Sequence, residues 1–278
     1  MKSSTWQELA KIKFANPGSR FIYHYHVPKT GGTSIFANLL QTAGWFPFNT
    51  DKPIKAINKE LSSCKGYIEG GPYPLNLYGR SHNLANRLLA QSAQKVYDAS
   101  FCFYRDPLSI QLSNINMIVN RVIRFFGEEY PSGSTLYEWT SEWISELGIC
   151  QTDIEKPQEL AYRLSGSNAY ISRYAGILSR YFPERPDELH KFLSDMKMTL
   201  FSMKCLDQFQ STVFGIASPV IANKNNAYYL RKDDLPGKTL EELVSMDALV
   251  NNSLLNFMVS SLEAVDQSHW IYSFLPEC

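Results

Sequence analysis

Residues 21–40 contain the feature that most restricts the fold: an apolar run, a glycine-containing loop and a helical pattern, in direct succession. The first part, from Phe21, is aromatic and β-branched and is short enough for a buried strand. The last part has apolar residues at the spacing of one helix face, at Ile35, Phe36, Leu39 and Leu40. A strand that leads through a tight loop into a helix predicts an α/β protein with a mainly parallel sheet flanked by helices.

The loop at residues 28–34 reads Pro-Lys-Thr-Gly-Gly-Thr-Ser. Two adjacent glycines permit backbone angles that a Cβ forbids and let a ligand approach the main chain. We expect Thr33 or Ser34 to begin the helix, whose first amide N–H groups have no internal partner. These amides, the helix dipole and the charge of Lys29 together predict an anion site.

A second strand-to-helix pattern lies at residues 99–126. The run Ala99–Tyr104 predicts a buried strand, and Arg105-Asp106-Pro107 leads from it into a long amphipathic helix. Proline is favourable in a first helical turn, where its missing N–H costs nothing. An arginine directly after a strand, such as Arg105, can bind a phosphate through two parallel hydrogen bonds.

The order of residues in the loop separates it from the ATP-binding loop G-x-x-x-x-G-K-[ST]. In that motif the lysine follows the glycines, whereas here Lys29 precedes them and no Gly-Lys-Ser or Gly-Lys-Thr follows. The order instead resembles the 5′-phosphosulfate loop of sulfotransferases that use 3′-phosphoadenosine 5′-phosphosulfate (PAPS). The closest resemblance is to the branch with the heparan sulfate and uronosyl 2-O-sulfotransferases and their bacterial relatives.

The remainder of the pattern adds to this resemblance. Arg105 and Ser113 resemble the 3′-phosphate motif of the family, which often has a further arginine where this chain has Ile110. Residues 230–232, Leu-Arg-Lys, resemble the late basic loop of the 2-O-sulfotransferase branch, which commonly continues with threonine where this chain has Asp233. The resemblance implies Arg231 and Lys232 as 3′-phosphate ligands; the alternative is an exposed basic pair.

The resemblance also implies the overall organisation and the ligands. It implies a P-loop-like sulfotransferase fold, a single domain over residues 1–278, with PAPS as the donor, PAP as the product and no metal. Lys29 is expected to bind the donor and to stabilise charge on the oxygen that leaves sulfur. The expected ligands of the 5′-phosphosulfate are Lys29, Thr30, Gly31, Gly32, Thr33 and Ser34.

The catalytic base is expected at the end of a further strand. Residues 44–80 are rich in Pro, Gly, Asn and Lys, which predicts an irregular region with short extended pieces, such as residues 66–69. Residues 75–82 alternate apolar and polar at first and then break at Gly79. That break predicts a strand end and a loop that carries Ser81 and His82. In the family a histidine near this position, often after glycine, accepts the acceptor's proton, which implies His82 as the base. His24 and His26, within the first strand, are the rivals.

Composition restricts the partners. The formal net charge is zero, so no global basic field favours nucleic acid or a polyanionic substrate. The five cysteines are scattered without a C-x-x-C pair, which predicts free thiols in a reducing compartment. No signal-peptide core and no run of 18 apolar residues is present, which predicts a cytoplasmic protein without a membrane anchor.

Residues 127–160 are acidic and aromatic. They contain eight carboxylates, Glu128, Glu129, Glu138, Glu142, Glu146, Asp153, Glu155 and Glu159, against one basic residue, Lys156. Leu136, Trp139, Trp143 and Leu147 lie on one side of a predicted helix. This pattern fits an amphipathic helix with a solvated acidic face. It also fits a helical lid on the acceptor side that favours a flat, neutral or cationic acceptor.

The expected activity is transfer of a sulfuryl group from PAPS to a hydroxyl or amine of a soluble small molecule, such as an alkaloid or polyketide. A carbohydrate or glycolipid acceptor is the alternative within this class. Two other classes stay open at this point. One is a P-loop-like kinase that uses ATP, with Asp106 as the magnesium ligand; the other is a nucleotide-binding protein without turnover.

Overall fold

The structure is a computed structural model. It describes residues 18–26, 29–42, 44–50, 76–81, 96–105, 107–166, 198–220 and 229–235, and the single positions 52, 55, 56, 59, 237 and 241. The chain divides into two compact units, and each is described by itself. The first unit takes residues 1–105, 183–223 and 252–278, and the second takes residues 106–182 and 224–251.

The first unit contains a five-stranded sheet in which every pair of neighbours runs parallel. Its strands are β1 (Phe21–Tyr25), β2 (Trp45–Asn49), β3 (Asn76–Ser81), β4 (Ala99–Tyr104) and β5 (Met198–Ser202). The spatial order is β2-β3-β1-β4-β5, so β1 is the central strand. The predicted α/β class with a parallel sheet is confirmed.

The α-helices of the described residues are α1 (Gly32–Leu39), α2 (Pro107–Phe126), α3 (Thr135–Glu146), α4 (Pro157–Ser165) and α5 (Leu206–Phe214). α1 follows β1 and α5 follows β5 through a 3-10 turn at Met203–Cys205, and both belong to the first unit. Strand followed by helix is the connection that a parallel sheet requires.

The core of the first unit is aromatic. Phe101 of β4 lies at its centre, with the Phe209 ring of α5 4.6 Å away and the His24 ring of β1 stacked at 4.4 Å. Ile35 and Leu39 bury the inner face of α1 against the same cluster. This packing holds β1 and α1 on either side of the loop between them.

The edge strand β2 was not expected at its position, in a region predicted to be irregular apart from short extended pieces. Pro47 lies within β2 and pairs with Tyr78 of β3. A proline removes one ladder donor, and sheets tolerate that on an edge strand. The sequence pattern was therefore misleading here, because Pro47 is harmless only in the edge position that the strand order gives it.

The second unit is helical. α2 packs against both α3 and α4. Ser134 caps α3 by accepting a hydrogen bond from the Tyr137 N–H (3.2 Å), and α4 begins at Pro157. Between these helices, the Asp153 carboxylate accepts hydrogen bonds from the Cys150 N–H and from Arg163, both at 2.7 Å.

The acidic stretch of the second unit is largely solvent-exposed. Each glutamate of residues 127–160 is exposed, in agreement with a solvated acidic face. α3 packs through buried Thr140 and through Tyr137, whose ring lies 4.8 Å from that of Phe125. Leu136 and Trp139 of the same helix are 40% and 52% exposed.

The cysteines only partly follow the expectation of free thiols. Cys102 and Cys150 are free, and burial raises the pKa of the Cys102 thiol to about 12. Cys205 is disulfide-bonded, so the expectation is wrong at that position. Of the helices that the structure describes, none has the length and hydropathy needed to cross a bilayer.

Candidate functional site

Three parallel strands of the first unit end at one edge of the sheet. Tyr25, the last residue of β1, pairs with Ser81 at the end of β3 and with Cys102 of β4, two residues before Tyr104. β3 and β4 lie on opposite sides of β1 in the sheet. The carboxyl end of β1 is therefore a topological switch point. Open parallel sheets bind ligands outside the carboxyl ends of their strands at such points.

The loop after β1 has an alternating backbone. Lys29 and Gly31 have positive φ angles of 68° and 78°, whereas Thr30 between them does not. Positive φ on alternate residues is a backbone pattern of anion-binding nests, in which successive N–H groups turn toward one concave side. A positive φ is uncommon for lysine and costs about 1 kcal/mol or more, a cost found most often at functional sites.

Helix α1 begins earlier than expected. It starts at Gly32, not at Thr33 or Ser34, because Gly31 adopts the left-handed conformation and serves as the N-cap. The first helical hydrogen bond runs from the Ile35 N–H to the Gly31 carbonyl (3.1 Å). A glycine N-cap provides no side-chain acceptor, and the first turn has no acidic residue. The positive end of the helix therefore faces the loop without a carboxylate of its own.

Both loop glycines are required by close packing. A Cβ on Gly31 would lie 2.6 Å from Leu206 Cδ2 and 3.3 Å from Met203 Cε, and a Cβ on Gly32 would overlap the His26 ring. The space beside each α-carbon is thus occupied by protein side chains. A ligand therefore cannot approach the main chain from the side where a Cβ would lie. The sequence-based expectation that the glycines let a ligand approach does not hold for that side.

Two arginines fix the loop from neighbouring strands. Arg105, directly after β4, donates from Nη1 to the Lys29 carbonyl (3.1 Å). Arg80 of β3 donates from Nη1 to the Gly32 carbonyl (3.2 Å), and its guanidinium lies 4.3 Å from the centroid of the Phe36 ring. Two arginines from separate strands therefore contact the loop that carries Lys29 and the first turn of α1.

Arg80 is a residue that sequence reasoning missed. Its signal was its place at the end of a strand, directly before the pair Ser81-His82. A contact with the first turn of α1 joins residues 48 positions apart, and no local periodicity reports such a contact.

The two histidines of the first strand region are buried. His24 is 0% exposed, and its Nδ1 shares a hydrogen bond with the Tyr78 hydroxyl. Burial raises the pKa of Tyr78, which keeps this phenol neutral. The His26 N–H donates to the Ser81 carbonyl (2.9 Å), and its ring covers Gly32. Of the two histidines in the ranges that the structure describes, His26 is the one that contacts the loop.

His82 lies outside the described residues. The strand before it extends through Ser81, so the predicted break after Gly79 is wrong and Ser81 belongs to β3. Gly79 lies within β3, and a Cβ at this position would meet the Thr50, Phe21 and Phe48 side chains. The strand that leads to position 82 nevertheless ends at the same sheet edge as the loop.

The predicted 3′-phosphate residues fall in both units. Arg105 belongs to the first unit; Ser113, Arg231 and Lys232 belong to the second. Ser113 is half-buried on α2, and Arg231 and Lys232 are exposed at the start of a 3-10 turn. Ile110, which stands where the resembling family often has arginine, is buried in the apolar core.

In the second unit, α2 contacts the residue that precedes the basic pair Arg231-Lys232. Asn116, one helical turn after Ser113, hydrogen-bonds to both backbone groups of Leu230. The residue before Arg231 is therefore anchored on the Ser113 side of α2. Asn116 is a second residue that sequence reasoning missed, because its partner lies more than 100 residues away.

The ranges that the structure describes contain no group of three or more His, Cys, Asp or Glu side chains placed as metal ligands. Asp106, the magnesium ligand of the kinase alternative, lies outside those ranges. In comparisons with known proteins, no family model, no curated protein and no solved structure matches the chain.

Proposed function

We propose that this protein is a PAPS-dependent sulfotransferase that modifies a hydroxyl or amine of a small-molecule acceptor. One observation carries the proposal. An alternating loop and a helix start without a side-chain cap lie at the carboxyl end of the central strand, together with Lys29, Arg80 and Arg105. The resemblance of residues 28–34 to the phosphosulfate loop then selects the ligand.

Electrostatics supports an anion at this place. Each cationic side chain near a helix N-terminus is repelled by the positive end of the dipole, whereas an anion is attracted to both. The first turn of α1 has no carboxylate to offset that charge. A ligand with a doubly charged phosphosulfate group would offset it, and the nest would supply converging N–H donors.

The sequence order favours a phosphosulfate over Mg-ATP. The lysine of the ATP loop follows its glycines and leads into the helix. Here Lys29 is at the entrance of the loop, in a left-handed conformation, with its carbonyl held by Arg105. We propose accordingly that the parallel sheet belongs to the P-loop-like sulfotransferase fold.

In the proposed reaction the acceptor oxygen or nitrogen attacks sulfur in line, and the bond from sulfur to the bridging oxygen breaks. The sulfuryl group moves to the acceptor, the acceptor proton moves to His82, and PAP leaves with the electron pair of the broken bond. Lys29 and the amides of residues 30–34 stabilise the charge that grows on the bridging oxygen. A single donor aimed at such charge contributes about 3 kcal/mol.

Residue by residue, the resemblance assigns recognition of the 3′-phosphate to Arg105, to Ser113 and to the pair Arg231-Lys232. Arginine suits this role because its planar guanidinium binds phosphate through two parallel bonds. The midway position of the family motif, often arginine, is Ile110 in this chain, and its side chain is buried in the core. The late basic pair is the proposed replacement for that contact.

The acceptor is proposed to be neutral or cationic. The exposed glutamates of residues 127–160 would repel a polyanion, and the exposed Trp139 provides a flat apolar surface next to them. A soluble aromatic amine or phenol fits these properties better than a heparan-like sugar.

The proposal is tested by incubating the purified chain with ³⁵S-labelled PAPS and a panel of phenols, aliphatic and aromatic amines and neutral sugars. We expect label transfer to a phenol or amine. His82→Ala should lower the rate by roughly 10²–10⁴ while the affinity for PAP is retained. Binding of PAP without transfer to any acceptor would support a nucleotide-binding protein without turnover. Full activity of His82→Ala would exclude His82 as the base.

A further inference from the structure

The basic pair Arg231-Lys232 is attached to α2 through the residue before it. Asn116 Nδ2 donates to the Leu230 carbonyl (3.3 Å), and the Leu230 N–H donates to Asn116 Oδ1 (3.1 Å). Asn116 and Leu230 are both buried. One side-chain amide thus satisfies the donor and the acceptor of one backbone residue, as a neighbouring strand would.

Further bonds hold the chain on both sides of this contact. Asn120 Nδ2 donates to the Asn116 carbonyl (2.8 Å), and the Tyr229 hydroxyl donates to Asn120 Oδ1 (3.3 Å). On the other side, the Arg231 N–H donates to the Asp234 carboxylate (2.8 Å). The backbone of the basic pair is therefore ordered, although both of its side chains are exposed.

Asn116 also shares a helix face with Ser113, because residues three apart on a helix are neighbours. The anchor of the basic pair and the hydroxyl of the proposed phosphate motif are thus one turn apart. A fixed backbone at this place lowers the entropy that a lysine or arginine loses when it binds a phosphate.

We propose that Asn116 is a positioning residue for the 3′-phosphate of the donor. It contacts the backbone of the basic loop and not the ligand, and it sets Arg231 and Lys232 beside Ser113. This inference rests on the proposed function. It differs from a purely structural role because the loss of Asn116 should affect only ligands that have a 3′-phosphate.

The test compares two ligands that differ in that group alone. Calorimetry gives the dissociation constants of PAPS and of adenosine 5′-phosphosulfate for the wild-type chain and for Asn116→Leu, which keeps the branched shape and the number of side-chain heavy atoms and removes both bonds to Leu230. We expect about tenfold weaker binding of PAPS, the usual effect of losing such bonds. We expect adenosine 5′-phosphosulfate to bind as it does to wild type.

Thr140→Val is the matched control within the same unit. It removes a buried polar bond, from the Thr140 hydroxyl to the Leu136 carbonyl (2.7 Å), at a site on α3 away from the basic loop. We expect it to leave both dissociation constants unchanged. If Asn116→Leu does not fold, Asn120→Ala takes its place, and we expect the same selective loss with a smaller magnitude.

Equal weakening of both ligands, or unchanged binding of PAPS, would overturn the positioning role of Asn116. A wild-type chain that binds neither ligand would instead overturn the proposed donor, and with it this inference. The wild-type titrations separate these two failures, because they do not depend on any variant.

Discussion

At the scale of single residues, the loop after β1 shows two different demands on glycine. Gly31 is needed both for its left-handed backbone and for the space that Leu206 and Met203 occupy. Gly32 has a helical backbone and is needed for space alone, because the His26 ring covers it. The loop conformation therefore depends on packing from β1 and α5 as well as on its own sequence.

Gly31→Ala separates these demands when it is compared with Gly133→Ala. Both glycines have φ near 78°, but no atom lies within 4 Å of a Cβ placed on Gly133. We expect Gly133→Ala to lower the free energy of unfolding by about 1 kcal/mol through backbone strain. Gly31→Ala should cost about 1–3 kcal/mol more, because Leu206 must move. Urea denaturation measures both; equal costs would show that Leu206 does not restrict the loop.

At the scale of elements, the N-terminus of α1 is the part of the chain where local stability and ligand binding have opposite requirements. A helix start is normally stabilised by a side-chain cap and by acidic residues in the first turn. α1 has neither. Because α1 has neither a side-chain cap nor an acidic first turn, no carboxylate of its own competes with an anionic ligand for its positive end.

Thr33→Glu tests that opposition, since Thr33 is exposed in the first turn of α1. The added carboxylate should stabilise the helix by about 0.3–1 kcal/mol through the dipole. The same charge should weaken binding of PAP at least tenfold, because it competes for the anion site. Thr33→Gln, of similar size, should have little effect on binding. If thermal denaturation and calorimetry show that both properties change in the same direction, the N-terminus of α1 is not the anion site.

Several elements were predictable because their signals are local. β1 and β4 are short apolar runs, and α2 shows helical periodicity, so each was expected close to its observed bounds. β2 was missed because Pro47 is acceptable only at a sheet edge, and the strand order is not a local property. The start of α1 was misplaced because the left-handed Gly31 acts as its cap.

The candidate site was predictable to a similar extent. Arg105 follows β4 directly, and Lys29 lies in the loop after β1, so their meeting at one sheet edge could be expected from sequence. Arg105 does contact the Lys29 carbonyl. Arg80 and Asn116 could not be expected, since each acts through a backbone group distant in sequence. Residue type alone does not reveal such contacts.

At the scale of the whole molecule, the two units differ in what stabilises them. The first is a sheet with an aromatic core, and the second is a helical unit with a polar surface and a capped turn at Asp153. Burial alone would raise the pKa of Asp153. The hydrogen bonds from the Cys150 N–H and Arg163, together with the charge of Arg163, nevertheless hold that pKa below its usual value.

The stability of the second unit should therefore depend on pH in a defined direction. Because the pKa of Asp153 is lower in the folded state, its contribution is present at neutral pH and is lost as the pH falls through the folded pKa. Asp153→Asn should lower the free energy of unfolding by about 1 kcal/mol at pH 7. The difference from wild type should shrink below pH 4. Denaturation of both proteins across this range measures it; a pH-independent difference would mean that charge is not involved.

The central claim, that the loop at residues 28–34 binds a phosphosulfate donor, is tested most directly by calorimetric titration of PAP and ATP. We expect PAP to bind one to one and ATP to bind far more weakly. Lys29→Ala should weaken the binding of PAP at least tenfold. Lys156→Ala, which removes an exposed lysine paired with Glu159, should leave the affinity for PAP unchanged. No binding of PAP, tighter binding of ATP, or unchanged PAP affinity in Lys29→Ala would contradict the claim.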